Sequence, residues 1–193
     1  MRQLVVATGN PAKLEEMQTY LSRLDWELTL KPPELEIEET GTSFRENAHL
    51  KARTVAQAMG KCAIADDSGL AVAALNGAPG IYSARYADTD EERIARLLRE
   101  LGDTPHREAE FICAVAIALP DGSIALERER RCKGEILRSP RGNNGFGYDP
   151  VFYFPALQKT FSEMDSNLKH KVSHRGQAFS ALFPEILSLS SLC

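Results

Sequence analysis

Apolar residues along this chain recur at two different spacings, and each change of spacing marks a change between strand and helix. Leu4 to Ala7 is a short β-prone run closed by Thr8-Gly9-Asn10, after which Leu14, Met17, Leu21 and Leu24 follow at helical steps of 3, 4 and 3. Asn10 is suited to cap that helix, and Pro11 to sit in its first turn, where a missing backbone N–H does no harm. Glu27 to Leu35 reads as a strand interrupted by Pro32-Pro33, and Glu36 to Thr42 as an acidic connection. A second helix is predicted from Ser43 and Glu46 at capping-box spacing, from Phe44, Ala48, Ala52, Val55 and Met59 at steps of 4, 4, 3 and 4, and from the stop at Gly60.

Cys62 to Ala65 is an apolar strand whose end is expected at Asp66-Asp67-Ser68-Gly69, and Asn76 to Gly80 reads as loop. Glu91 to Leu101 returns to helical periodicity through Ile94, Leu97, Leu98 and Leu101, with Gly102 as its stop. Phe111 to Leu119 and Ile124 to Arg131, joined by Pro120-Asp121-Gly122, form an expected antiparallel hairpin with the second strand more exposed. Arg141 to Pro150 is a Gly/Asn-rich loop, Ser166 to Val172 a polar segment, and Arg175 to Phe183 a last helix that Pro184 should end or kink. No repeat or linker divides the chain, so residues 1–193 are expected to form a single α/β domain around a mixed sheet.

Composition narrows the partners. With 43% apolar and 26% charged residues the chain is of globular type, and its net charge of −4 provides no overall field for DNA, RNA or anionic lipid. No run approaches the ~20 apolar residues needed to span a bilayer, and the first residues lead directly into a strand, so a cytoplasmic protein is expected. Cys62, Cys113, Cys132 and Cys193 lie 51, 19 and 61 residues apart, with no paired spacing for zinc or a dithiol centre, and reduced thiols are expected.

Four segments carry candidate chemistry. Thr8 to Lys13 places a glycine, helix-start amides and a lysine together, which suits a phosphate cradle, although without the full Walker pattern the segment alone favours a capped helix with a solvated lysine. Glu36, Glu38 and Glu39 on one connection and Asp66-Asp67 on another provide carboxylates for a hard cation such as Mg²⁺, which takes few protein oxygens and completes its shell with water and phosphate. The apolar neighbours of Asp66-Asp67 make two adjacent negative charges costly unless a cation offsets them. Gly142 to Pro150 carries Phe146, Tyr148 and Asp149, and serves either as a base-stacking loop or as a turn whose aromatics plug the core. Lys169 and Ser173-His174-Arg175-Gly176 gather basic groups before the last helix, suited to an anion and also to simple surface exposure.

Taken in order, Ala7-Thr8-Gly9-Asn10 with Lys13, Glu38-Glu39-Thr40-Gly41 with Phe44 and Glu46-Asn47-Ala48, Ala65-Asp66-Asp67-Ser68-Gly69-Leu70, Gly77 to Arg85, Gly145 to Pro150 and Ser173 to Gly176 resemble the inosine triphosphate pyrophosphatase family nearly end to end. The resemblance implies an elongated mixed β-sheet flanked by helices, two lobes with a central cleft, and a homodimer. It also implies Mg²⁺-dependent hydrolysis of ITP, dITP and XTP to the monophosphate and pyrophosphate. Carried onto this sequence, the phosphate loop falls on Thr8, Gly9, Asn10, Pro11, Ala12 and Lys13, the metal ligands on Glu38 and Asp67, and the general base on Asp67. Ser68 and Lys169 match further substrate contacts, and Phe146, Gly147, Tyr148, Asp149, His174 and Arg175 the base pocket.

On this resemblance, Asp67 or Asp66 is expected to orient the attacking water. Phe146 is then expected to stack on the purine, with Asp149, His174 and Arg175 at its edge. Two other readings fit the same inventory: a purine nucleotide-binding protein without catalysis, and a pyrophosphatase with a different base preference. The acidic pair argues against the first, because it weakens anion binding unless a metal is present.

Overall fold

The first helix forms where its cap directs. In the computed structural model, which describes residues 2–22, 24 and 26–191, Asn10 Oδ1 accepts the amides of Ala12 at 3.0 Å and Lys13 at 3.3 Å, and α1 spans Pro11–Leu21. It follows β1 (Arg2–Val6) and leads to β2 (Trp26–Leu30). Helix α2 (Phe44–Met59) starts on Ser43 Oγ, which accepts the Glu46 amide, and ends at Gly60, whose φ of +62° is the left-handed conformation that glycine adopts at low cost. The Glu46 carboxylate turns to the amide and hydroxyl of Thr42 instead of the Ser43 amide, so half of the expected capping box forms.

The remaining elements are β3 (Ala63–Val72), α3 (Asp90–Leu101), β4 (Glu108–Ala118), β5 (Ile124–Ile136), β6 (Phe152–Phe154), β7 (Lys159–Thr160), α4 (Ser166–Val172) and α5 (His174–Ile186), with short 3₁₀ turns between several of them. Among the described residues seven strands form one sheet in the order β2-β1-β3-β4-β5-β6-β7. Strand β1 runs parallel to β2, with Leu4 opposite Leu28, and parallel to β3, with Val5 opposite Ala63. Strand β6 is antiparallel to both β5 and β7. The sheet is therefore mixed and helix-flanked, as the sequence pattern implies.

The chain forms two compact units, each assembled from separate segments: residues 1–67, 113–130 and 175–193 in the first, 68–112 and 131–174 in the second. Each has its own apolar core. In the first, Leu4, Val6, Met17, Ile64, Val115, Ile117, Phe179 and Leu182 are buried together. In the second, Leu70, Leu97, Phe111, Ile136, Phe152, Phe161 and Met164 do the same, with the Phe111 and Phe152 ring centroids 4.6 Å apart. No helix among the described residues is long and apolar enough to cross a membrane.

Four local expectations change. Strand β3 does not stop at Asp66 but continues to Val72, because Leu70 and Val72 are fully buried and extend the apolar pattern beyond the acidic residues. Ser166 to Val172 is helix α4, capped by Asp165 through the Leu168 amide at 2.8 Å; Leu168 and Val172 pack one turn apart, but seven residues are too few to display a period. Helix α5 passes through Pro184 to Ile186. Proline removes one donor to the Ser180 carbonyl there, and both residues are exposed, so the orphaned group is not sealed in the core. Cys113 and Cys132 are free and buried, but Cys62 is disulfide-bonded, because sequence spacing does not report which thiols the fold brings together. Cys193 lies outside the described residues.

Candidate active site

The Thr8 to Lys13 turn is held by its own side chains. Thr8 Oγ1 accepts the Asn10 amide at 3.1 Å, and Asn10 Oδ1 takes the amides of Ala12 and Lys13, so helix-start donors are ordered and already satisfied. Gly9, Asn10 and Pro11 are exposed, and a Cβ built on Gly9 would meet nothing within 4 Å. This turn is therefore an open, pre-shaped backbone surface with Lys13 one turn into the helix.

The ammonium of Lys13 points back to Asp66, with Nζ 3.2 Å from Oδ2. The same oxygen accepts Arg175 Nε at 3.2 Å and Nη2 at 3.1 Å, while Arg175 Nη1 donates to Glu16 Oε2 at 2.5 Å. Asp66 and Arg175 are both buried. Burial alone would push the Asp66 carboxyl up, but Lys13, Arg175 and Lys51 outweigh it and hold the carboxyl well below the ordinary range. Burial likewise opposes the Arg175 charge, and Asp66 and Glu16 overcome it, which fixes the guanidinium as a cation.

Successive side chains on a strand project to opposite faces. Asp67 accordingly finds a separate set of partners: Lys51 Nζ donates to its Oδ1 at 2.9 Å and Asn47 Nδ2 to its Oδ2 at 3.2 Å, both from α2. Lys51 Nζ also donates to Glu39 Oε1 at 2.6 Å, while Glu38 is exposed beside it. Asn47 Oδ1 accepts the Gly41 amide at 2.8 Å, and a Cβ on Gly41 would come within 2.6 Å of that oxygen, so glycine is required there. Burial raises the Asp67 carboxyl above its ordinary range against the opposing pull of Lys51 and Lys13. The two acids thus differ in kind: Asp66 is a fixed anion, and Asp67 is the more basic group.

In the second unit the Arg141 to Pro150 loop folds around Asp149, which is buried. Asp149 Oδ2 accepts the Phe146 amide at 2.9 Å and Lys169 Nζ at 2.7 Å, and that Nζ stands 4.7 Å from the Phe146 ring centroid. The Tyr148 hydroxyl donates to the Ser83 carbonyl at 2.9 Å, and burial pushes its ionisation up. His174 stacks on Phe111 with centroids 4.6 Å apart and planes 8° from parallel. Ser68 is half-buried on β3.

The structure therefore gathers Lys13 with Asp66 and Arg175, sets Asp67 with Lys51, and unites Phe146, Asp149 and Lys169. His174 and Arg175, adjacent at the start of α5, have different neighbours. The histidine packs in the second unit, and the guanidinium is held by carboxylates in the first. Glu16 and Lys51 are not singled out by the sequence motifs, and Asn47 enters only within the Glu46-Asn47-Ala48 match. The signal was present: each is a polar residue beside the apolar stripe of its helix, next to Met17, Ala48 and Ala52, where burial follows from the turn of the helix.

An oxygen-only donor set of Asp67 with the Glu38-Glu39 connection suits a hard divalent cation. Lys51 already occupies the position of a cation between Asp67 and Glu39. Among the described residues no three His, Cys, Asp or Glu side chains converge to hold a metal by themselves.

A sequence profile of the Ham1 family matches residues 4–185. A dITP/XTP pyrophosphatase of Nostoc sp. is 62% identical over 188 residues, 97% of this chain and 96% of that protein. One of Synechocystis sp. is 62% identical over 182 residues, 94% of each. A solved structure of a HAM1 protein from Coxiella burnetii is 44% identical and superposes with a TM-score of 0.88 over 97% of this chain and all of its own. A profile match over nearly the whole length, with relatives this similar, shows that the chain belongs to the Ham1 family.

Proposed function

We propose that this protein hydrolyses triphosphates of deaminated purines, ITP, dITP and XTP, to the nucleoside monophosphate and pyrophosphate, with Mg²⁺ as its cofactor. The reading extends to a cytoplasmic homodimer that clears such nucleotides from the pool. The observation that carries it is the buried Asp66-Asp67 pair on β3, each acid met by its own cations, in a chain whose named relatives above are dITP/XTP pyrophosphatases.

Lys13 and the Thr8 to Asn10 backbone grip the phosphate tail, Lys13 exchanging part of its attraction to Asp66 for the phosphate oxygens. Asp67 and the Glu38-Glu39 connection would hold Mg²⁺, which when bound neutralises charge on the phosphates. Asp66 is committed to Lys13 and Arg175, so the proton of the attacking water goes to Asp67. Attack on the α-phosphorus expels pyrophosphate as a unit, and positioning with charge neutralisation does the catalysis without a covalent nucleophile.

Phe146 offers its ring to the purine and Ser68 and Lys169 add contacts, while the Gly147 to Asp149 backbone and His174 line the base. Arg175, with charge and orientation set by Asp66 and Glu16, donates to the 6-keto oxygen. The 6-amino group of adenine would face that donor with another donor, which leaves buried groups unpaired and excludes ATP. Guanine shares the 6-keto oxygen, so its exclusion rests on the 2-amino group.

The test is a panel of ITP, XTP, dITP, ATP, GTP and dUTP with Mg²⁺, assayed separately for pyrophosphate and orthophosphate. Pyrophosphate release confined to the deaminated purines is expected. Equal rates across the panel would remove the selectivity, and binding without turnover would favour a nucleotide-binding protein.

A further inference from the structure

We infer that Asp90, the first residue of α3, is a positioning residue that sets the direction of the Phe146 ring; this rests on the reading of Phe146 as the platform for the purine. The loop from Gly142 to Pro150 is held partly from within, by Asp149 on the Phe146 amide, and partly from outside. Gly145 and Gly147 take φ of +78° and +61°, a region glycine enters and leaves freely, so the backbone shape depends on such ties. Asn144 supplies one, through its amide to the Ser162 carbonyl at 3.1 Å and its Nδ2 to the Met164 carbonyl at 3.0 Å.

The decisive ties bracket Phe146. Its own amide donates to Asp149 Oδ2 at 2.9 Å, and the next amide, of Gly147, donates to Asp90 Oδ2 at 2.6 Å. The two peptide planes on either side of the Phe146 Cα are thus each held by a carboxylate, which pins its φ and ψ and hence the direction in which its Cα–Cβ bond leaves the loop. Bonds from an amide to an ionised carboxylate are among the stronger kinds.

Asp90 is itself held. Its Oδ1 accepts Arg93 Nη1 at 2.7 Å, and Arg93 Nε and Nη2 donate to the Ala87 and Asp88 carbonyls at 2.9 and 3.3 Å. The Thr89–Glu92 capping box fixes the helix start from which it projects. The Gly147 amide, once given to Asp90, is no donor to the base; its part is to orient the ring.

The test uses the full chain with Asp90→Ala, Asp90→Asn, which keeps an acceptor oxygen, Glu91→Ala, an exposed first-turn acid with no bond to the loop, and Phe146→Ala. Three quantities are read: hydrogen exchange of the 142–150 segment without substrate, and KM and kcat for ITP. Asp90→Ala should speed exchange and raise KM about tenfold while kcat stays within about twofold, with Asp90→Asn restoring most of both and Glu91→Ala changing neither. Unchanged exchange in Asp90→Ala overturns the tie. Faster exchange with unchanged KM, where Phe146→Ala does raise KM, overturns the positioning role. An unchanged KM in Phe146→Ala refutes the platform reading, and this inference with it.

Discussion

Arg175 and Asp66, 109 residues apart in the chain, meet as an enclosed ion pair with Nη2 3.1 Å from Oδ2. Lys13 and Glu16, one turn apart on α1, flank it, so α5, β3 and α1 converge on one set of alternating charges. Removing one member strands the others away from water.

Asp66→Asn should therefore cost about 3–5 kcal/mol at neutral pH, read by urea denaturation. Its carboxyl is held below the ordinary value of about 3.9, so the unfolded chain takes up the proton first as pH falls. The contribution is fully present above that value and is lost as pH drops toward the folded one. Wild-type stability should fall more steeply below about pH 4 than that of Asp66→Asn. Parallel curves would exclude Asp66 as a source of acid sensitivity.

Asp67→Asn should reduce pyrophosphate release from ITP by at least about a thousandfold. The circular dichroism spectrum should be unchanged, because the amide still accepts a hydrogen bond from Asn47. Near-normal turnover would show that the proton goes elsewhere.

Lys51→Met leaves Asp67 and Glu39 without the ammonium they share, at a cost of about 2–4 kcal/mol. A divalent ion then has more repulsion to relieve. MgCl₂ should raise the melting temperature of this variant by more than it raises the wild type's, measured by thermal scans without nucleotide. Equal shifts would separate Lys51 from the cation site.

Arg175→Ala should lower the ratio of kcat/KM for ITP over ATP by about 10- to 100-fold. Steady-state assays at a temperature where the variant remains folded provide the number. An unchanged ratio would confine Arg175 to its partners Asp66 and Glu16.

Local signals carried most of the architecture. The Asn10, Ser43 and Gly60 caps and the apolar steps of α1, α2 and α3 are short-range properties; α2 and α3 formed within a residue of the expected bounds, while α1 ends at Leu21, short of Leu24. The length of β3 was not legible, because adjacent acids and a glycine imitate a loop until the cations that offset them are brought from α1, α2 and α5. Arg175 shows the same limit at the site. A basic residue before a helix looks solvent-directed, and only tertiary contact shows it enclosed between Glu16 and Asp66. The bond from Asp90 to Gly147 spans 57 residues and carries no motif at all.

The cap on α1 has a consequence for what the resting protein can grasp. With Asn10 already engaging the Ala12 and Lys13 amides, an arriving oxyanion gains little from those donors, since it only replaces one partner by another. Attraction must then scale with how many negative charges the visitor brings. Long polyphosphate tails should be retained, and the departing monophosphate, poorer in charge, should be the easier one to let go.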